Sequence, residues 1–187
     1  MTLILSKKYN PLFESKARYF IITGGRGSGK SFAVTVFLTL LTMSRGIRVL
    51  FTRFTMTSAH LSIIPEFLEK IGLLGFDEAF NINKAEVVNA KNKSDILFRG
   101  IKTSAGNQTA SLKSLQGIST WVLDEAEELV DENIFDTIDL SIREKNIQNR
   151  VILILNPVTK EHWIYKRFFE EKGIEGGFNG VKDNVCY

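Results

Sequence analysis

Gly24-Gly25-Arg26-Gly27-Ser28-Gly29-Lys30-Ser31 is a complete match to G-x-x-x-x-G-K-[ST]. It follows an apolar run, Arg18 to Thr23, and opens an apolar helical stretch, Ser31 to Ser44. That strand, loop and helix setting is the one in which the pattern binds phosphate. Glycines let the backbone curl and aim successive N–H groups at phosphate oxygens, and the positive end of the following helix adds to the anion site. The cradle expected for ATP is therefore Gly24, Gly25, Arg26, Gly27, Ser28, Gly29, Lys30 and Ser31. Lys30 is expected to bridge the β- and γ-phosphates, and Ser31 to ligate Mg²⁺ through its hydroxyl.

Ile47 to Thr52, Ile96 to Ile101, Thr120 to Leu123 and Arg150 to Leu155 are further runs rich in Ile, Val, Leu or Phe, and longer helical stretches separate them. Continuous apolar strands joined by crossover helices are the pattern of a buried parallel sheet. The fold class expected is α/β, a P-loop NTPase with a parallel-sheet core and helices on both faces. Ser62 to Lys70 carries helical spacing, and Val130, Ile134, Ile138 and Ile142 recur every four residues, predicting a helix with one apolar stripe on the sheet. The polar stretch Asn81 to Asp95 predicts a hairpin or surface loop rather than core, and Lys102 to Ser114 a loop entering the fourth strand. Glycines cluster from Gly173 to Gly180, and Val181 to Tyr187 reads as the start of another strand at a domain edge.

At 187 residues the expectation is one domain, residues 1–187. A hydrophobic share of 44% beside 24% charged residues indicates neither disorder nor a membrane fold, and no apolar run approaches the ~18 residues of a spanning helix. Charge follows the very short apolar start at Lys7 and Lys8, so no signal peptide is expected. A lone Cys186 has no disulfide partner and suits a reducing cytoplasm. The net charge of +3 is compatible with a nucleic-acid partner and too mild to argue for one.

Trp121-Val122-Leu123-Asp124-Glu125-Ala126 is an apolar strand ending in paired carboxylates, placed so that it can lie beside the phosphate loop. Asp124 is expected to position Mg²⁺ through its water shell, and Glu125 to polarise the attacking water as general base. Within the expected fold class, the RecA-like type of P-loop NTPase is the one anticipated. Glu127, Glu128, Asp131 and Glu132 read as a solvated helix face. Val151 to Leu155 ends in Asn156-Pro157; an amide at the C-terminal end of a central strand reaches the γ-phosphate or the attacking water, where parallel sheets place their ligands. Asn156 could then report nucleotide state, the alternative being an ordinary turn opened by Asn-Pro. Asn92-Lys93-Ser94-Asp95 spells a guanine-reading N-K-x-D, but it precedes the Asp124 strand and reads as a surface turn.

The phosphate loop, Trp121 through Glu128, Asn156-Pro157 and His162-Trp163-Ile164-Tyr165-Lys166-Arg167-Phe168-Phe169 together are similar to the ATPase domain of phage terminase large subunits, across nearly the whole chain. The resemblance implies a packaging motor: a homo-oligomeric ring on the portal protein of an empty procapsid, working with the terminase small subunit in the host cytoplasm. Such a ring hydrolyses ATP to drive double-stranded DNA inward. It further implies that Arg26 contacts the γ-phosphate and that a basic residue acts in trans, with Lys113 of Ser111-Leu112-Lys113-Ser114 the candidate and Arg99 and Arg143 its rivals. Tyr9 and Phe13 are candidates for stacking on adenine, the alternative being a place in the core, where aromatic residues near a strand usually belong. Full terminases carry a second, metal-dependent nuclease domain, and nothing in these residues supplies its carboxylate cluster, so no DNA cleavage is expected.

Two other classes share the loop and the acidic strand. One is another DNA-translocating ATPase, helicase-like or partition-like. The other is a nucleotide switch or kinase, against which Glu125 directly after Asp124 favours water as the acceptor.

Overall fold

The computed structural model describes residues 3–56, 59–103, 106–107, 112 and 114–187, with backbone alone at 59–62, 103 and 106–107. A short helix α1 (Asn10–Glu14) leads into β1 (Tyr19–Thr23), α2 (Lys30–Leu41), β2 (Arg48–Thr55) and α3 (Ala59–Leu73). Then come β3 (Phe80–Ile82), β4 (Glu86–Asn89), β5 (Asp95–Thr103), β6 (Gly106–Asn107), β7 (Thr120–Asp124), α4 (Glu132–Asp139) and β8 (Arg150–Leu155). A helical turn Trp163–Tyr165 runs into a π-helical turn Lys166–Glu170, and β9 (Val181–Lys182) and β10 (Val185–Cys186) follow.

Among the described residues the strands form one sheet in the order β3-β4-β5-β2-β7-β8-β1-β10-β9, with β6 on β5. From β5 across to β10 all pairings are parallel, and the antiparallel pairs lie at the margins. The registers align whole rows of side chains. Leu97, Leu50, Trp121, Val151, Tyr19 and Val185 form one row; Phe98, Phe51, Val122, Ile152, Phe20 and Cys186 form the next. Because neighbouring residues of a strand face opposite sides, the two rows supply two different cores. The second row joins Leu12 of α1, Val34 and Phe37 of α2 and Phe67 of α3. The first row joins Phe135 and Ile138 of α4 and Trp163 and Phe168 of the C-terminal turns. Helical structure therefore covers both faces, which is why the strands are apolar on both sides.

Three features differ from the sequence expectations. β8 lies between β1 and β7, so the acidic strand is one place removed from the strand that carries the phosphate loop. The apolar stripe is shorter than its spacing suggests: the Asp131 side chain accepts from the Asn133 N–H and starts α4 after Val130, which stays 77% exposed, while Phe135 takes the inward position. The stretch from Asn81 to Asp95 is indeed a hairpin, but Val87 and Asn89 are buried because it extends the sheet. Its N-K-x-D turn lies at the sheet end opposite the phosphate loop. There Asn92 donates to the carbonyls of Thr42, Met43 and Ser44, and buried Ser94 donates to Ser44, closing the end of α2.

Candidate active site

The C-terminal ends of β1, β8 and β7 lie side by side, and they deliver the phosphate loop, Asn156 and the Asp124-Glu125 pair to one place. A cleft of about 380 Å³ there is lined by residues 26–32, Arg53, Asp124, Glu125, Glu127 and residues 154–156. Gly29 caps α2 in a left-handed conformation (φ 84°), which a β-carbon would disfavour. Gly27 is left-handed as well, at φ 74°. The loop is tied from behind, since Ser28 O accepts from Tyr9 Oη at 2.8 Å and from Lys8 Nζ at 3.0 Å.

Lys30 Nζ donates to the carbonyls of Gly24 and Gly25 and lies 3.4 Å from Asn156 Oδ1. The ammonium thus lies folded onto its own loop and across to the end of β8. Arg26 is exposed on the cleft wall, and Ser31 lines the cleft together with Asp124.

Asp124 is 3% exposed, so its charge needs a partner. Arg53 supplies it, with Nε at 2.8 Å and Nη2 at 2.7 Å from Asp124 Oδ2. The same Nε is 3.7 Å from Glu125 Oε2. Glu125 sits in the left-handed region at φ 54°, unusual for a residue with a side chain, and the turn that follows holds it there through Glu128 N–H to Glu125 O at 3.0 Å. Its carboxyl is held above the ordinary carboxylate value, mainly by burial; Arg53 opposes the shift, and Asp124, Glu128 and Glu127 add to it.

Glu127 is not on a solvated helix face. Ala126–Glu128 is a single 3₁₀ turn, and it aims Glu127 back into the cleft, where Oε1 accepts from Asn156 Nδ2 at 2.6 Å. The turn is pinned from below: Trp163 Nε1 donates to Leu129 O at 2.6 Å, and His162 Nε2 lies 3.2 Å from Glu127 O. Asp131 caps α4, and Glu132 with Asp136 binds Arg167 at 3.0 and 2.6 Å, so of the four expected surface acids only Glu128 is an exposed side chain without such a task.

Hard oxygen donors suited to Mg²⁺ are present in Ser31 and Asp124, on the same cleft wall as the phosphate loop. Among the described residues no three acidic, His or Cys side chains cluster as a protein-only cage. This donor set fits a cation that arrives with the phosphates and keeps much of its water.

A larger cleft of about 850 Å³ adjoins the loop on the other side, lined by Tyr9, Gly24, Pro157, Tyr165, Phe178 and Tyr187 among others. Tyr9 is therefore beside the loop, whereas Phe13 packs edge-on against Phe37, 5.3 Å between centroids. Lys113 lies outside the described residues. Its rivals are both away from the cleft: Arg99 donates to Phe98 and Ala85 carbonyls, and exposed Arg143 precedes β8 at the opposite end of the sheet.

Sequence reasoning missed Arg53 and Glu127. Arg53 is legible only as a basic residue late in an apolar strand, and its importance appears once β2 is known to neighbour β7. Glu127 is visible only when its turn is known not to be α-helical.

Residues 16–187 match the family model described as phage terminase large subunit. No curated protein matches the chain. Among solved structures, the large terminase of a thermophilic bacteriophage is similar at 11% identity with a TM-score of 0.72, covering 98% of this chain and 45% of that one. The N-terminal domain of the DNA packaging ATPase of bacteriophage phi29 is similar at 17% identity and TM-score 0.69, covering 96% of this chain and 94% of that domain. The large terminase of bacteriophage HK97 is similar at 10% identity and TM-score 0.69, with 98% and 41% covered. The chain thus spans less than half the length of the thermophilic-phage and HK97 terminases that it matches and nearly all of the phi29 domain. With a family model matched over all but its first residues, this chain belongs to the phage terminase large subunit family.

Proposed function

We propose that this chain is the ATP-hydrolysing motor domain of a DNA-packaging terminase, coupling hydrolysis to movement of double-stranded DNA into a procapsid. The observation that carries the proposal is the meeting of Lys30, Asp124, Glu125 and Asn156 in one cleft at the ends of three adjacent strands. The thermophilic-phage terminase has been solved with ADP and with ATP-gamma-S, and the phi29 relative as a viral genome packaging motor assembly, which supports both nucleotide and motor.

The phosphates lie in the loop, and Lys30 leaves the Gly24 and Gly25 carbonyls to bind them. Ser31 and Asp124 would hold the Mg²⁺ of the nucleotide, which when bound would neutralise charge on the phosphate oxygens. Arg26 reaches the γ-phosphate from the cleft wall, where a guanidinium stabilises charge that develops during transfer. Glu125 takes the proton of the attacking water, a role for which a pKa held above the ordinary carboxylate value by burial makes it a stronger base. The nucleoside occupies the neighbouring aromatic cleft beside Tyr9. Lys113 of an adjoining subunit completes the site in a homo-oligomeric ring, and the ring works with the portal protein and the small subunit in the host cytoplasm. No described helix is long and apolar enough to cross a membrane.

The test is ATP hydrolysis and nucleotide binding by wild type, Lys30→Ala and Glu125→Gln at high protein concentration, with and without duplex DNA. Wild type turns over and is stimulated by DNA, Lys30→Ala binds poorly, and Glu125→Gln binds but loses about 10²–10⁴-fold in rate, the usual contribution of a general base. Hydrolysis by Glu125→Gln at the wild-type rate would falsify the catalytic assignment.

A further inference from the structure

The Asn156 amide has different partners on its two ends. Glu127 Oε1 takes the nitrogen at 2.6 Å, and Lys30 Nζ faces the oxygen at 3.4 Å. A carboxylate only accepts and an ammonium only donates, so both neighbours demand the same rotation of the amide. They differ in permanence. Lys30 is the residue that moves to the phosphates, while Glu127 sits on a turn pinned by the Trp163 bond to Leu129 O and the His162 contact to Glu127 O. The other Glu127 oxygen is buried without a hydrogen bond, a costly arrangement that a carboxylate serving only to bind solvent would not adopt.

We propose that Glu127 is a positioning residue that locks the Asn156 amide so that its carbonyl oxygen, and not its N–H, faces the reacting phosphate. The inference rests on the ATPase reading and sharpens it. Once Lys30 leaves, Asn156 Oδ1 is a free acceptor in the cleft that Glu125 and Asp124 also line, and the amide N–H is already committed to Glu127. Asn156 then orients the attacking water by accepting from it and does not donate to the γ-phosphate.

Two measurements on the same protein test this. In the first, kcat and KM are compared for Glu127→Ala, Glu127→Gln, Asn156→Ala and the double Ala variant. Glu127→Ala lowers kcat by about tenfold or more with KM little changed, as loss of a neighbour that orients a site residue does. Glu127→Gln, whose amide oxygen still accepts, recovers most of that loss, and Glu127→Ala adds nothing in the Asn156→Ala background. An undiminished Glu127 effect in that background, or a loss that falls on KM, overturns the proposal. The second measurement is the NMR signal of the Asn156 side-chain N–H₂ in ¹⁵N-asparagine-labelled protein, identified by its absence in Asn156→Asp, with and without ATP-gamma-S. The signals carry the signature of a bond to carboxylate in both states and lose it in Glu127→Ala. Signals indifferent to Glu127→Ala, or released from it when the analogue binds, overturn the proposal. A wild type that binds the analogue but never hydrolyses ATP would fail the ATPase reading, and the NMR signals would still decide the orientation.

Discussion

Glu125 bears its carboxylate on a left-handed backbone, between the guanidinium of Arg53 and three other carboxylates. Burial, which is the largest cause, raises its pKa above the ordinary 4.5 and makes the charged form costly in the folded state. For a carboxyl raised on folding, the stabilising contribution is present at low pH and is lost as pH rises through the folded pKa. Glu125→Gln, which has no charge to lose, is therefore expected to melt at a higher temperature than wild type near neutral pH, with the gain shrinking as pH falls through that pKa. Calorimetry across a pH series checks this, and the acid limb of the wild-type kcat/KM profile should lie above 4.5. The meeting of Lys30, Ser31, Asp124, Glu125 and Asn156 was legible in the sequence because phosphate chemistry fixes their neighbours in the chain and their places at strand ends. Arg53 and Glu127 were not, since each gains its place through a partner brought from far along the chain: Asp124 on β7 for the first, Asn156 just after β8 for the second.

The short strand β10, next to the edge strand β9, meets β1 through Tyr19 opposite Val185 and Phe20 opposite Cys186. Burial pushes the Cys186 thiol up to about 11, and only the thiolate reacts readily with alkylating agents. Iodoacetamide should thus label native Cys186 far more slowly than the unfolded chain near neutral pH, and bound nucleotide should slow it further, because Cys186 and Gly24 line the same cleft. A native rate equal to the unfolded one would mean that the β9–β10 hairpin is not held against β1. The five central strands were readable as apolar runs because both faces of the sheet are covered. The α4 stripe was not: a four-residue spacing in Val130 and Ile142 persists beyond both ends of a helix of eight residues, and the Asp131 cap, not the spacing, decides where that helix begins. The hairpin at Asn81 to Asp95 was readable as a turn, while its burial depended on the edge of β5 being free to receive it.

For the molecule as a whole, the cleft holding Lys30 and Glu125 is open at its rim, with Arg26 exposed and the Glu125 side chain 46% exposed. If a neighbouring copy closes it, hydrolysis per subunit should rise with protein concentration, and Lys113→Ala should flatten the rise while leaving nucleotide binding intact; initial rates over a dilution series check this. A rate per subunit independent of concentration would mean that one copy is sufficient. The alternating rows that build two cores made the α/β class legible, whereas strand order was beyond reach, since nothing local in the β8 sequence says that it inserts between β1 and β7. That insertion also sets the timetable of synthesis. β1 leaves the ribosome well before both of the strands that flank it, β8 and β10. Until they arrive, the nascent chain carries a bare apolar strand with two unpaired edges, prone to pair with other copies. Closing loops of that length is slow, so the earliest-made part of the nucleotide site is among the last to acquire its shape.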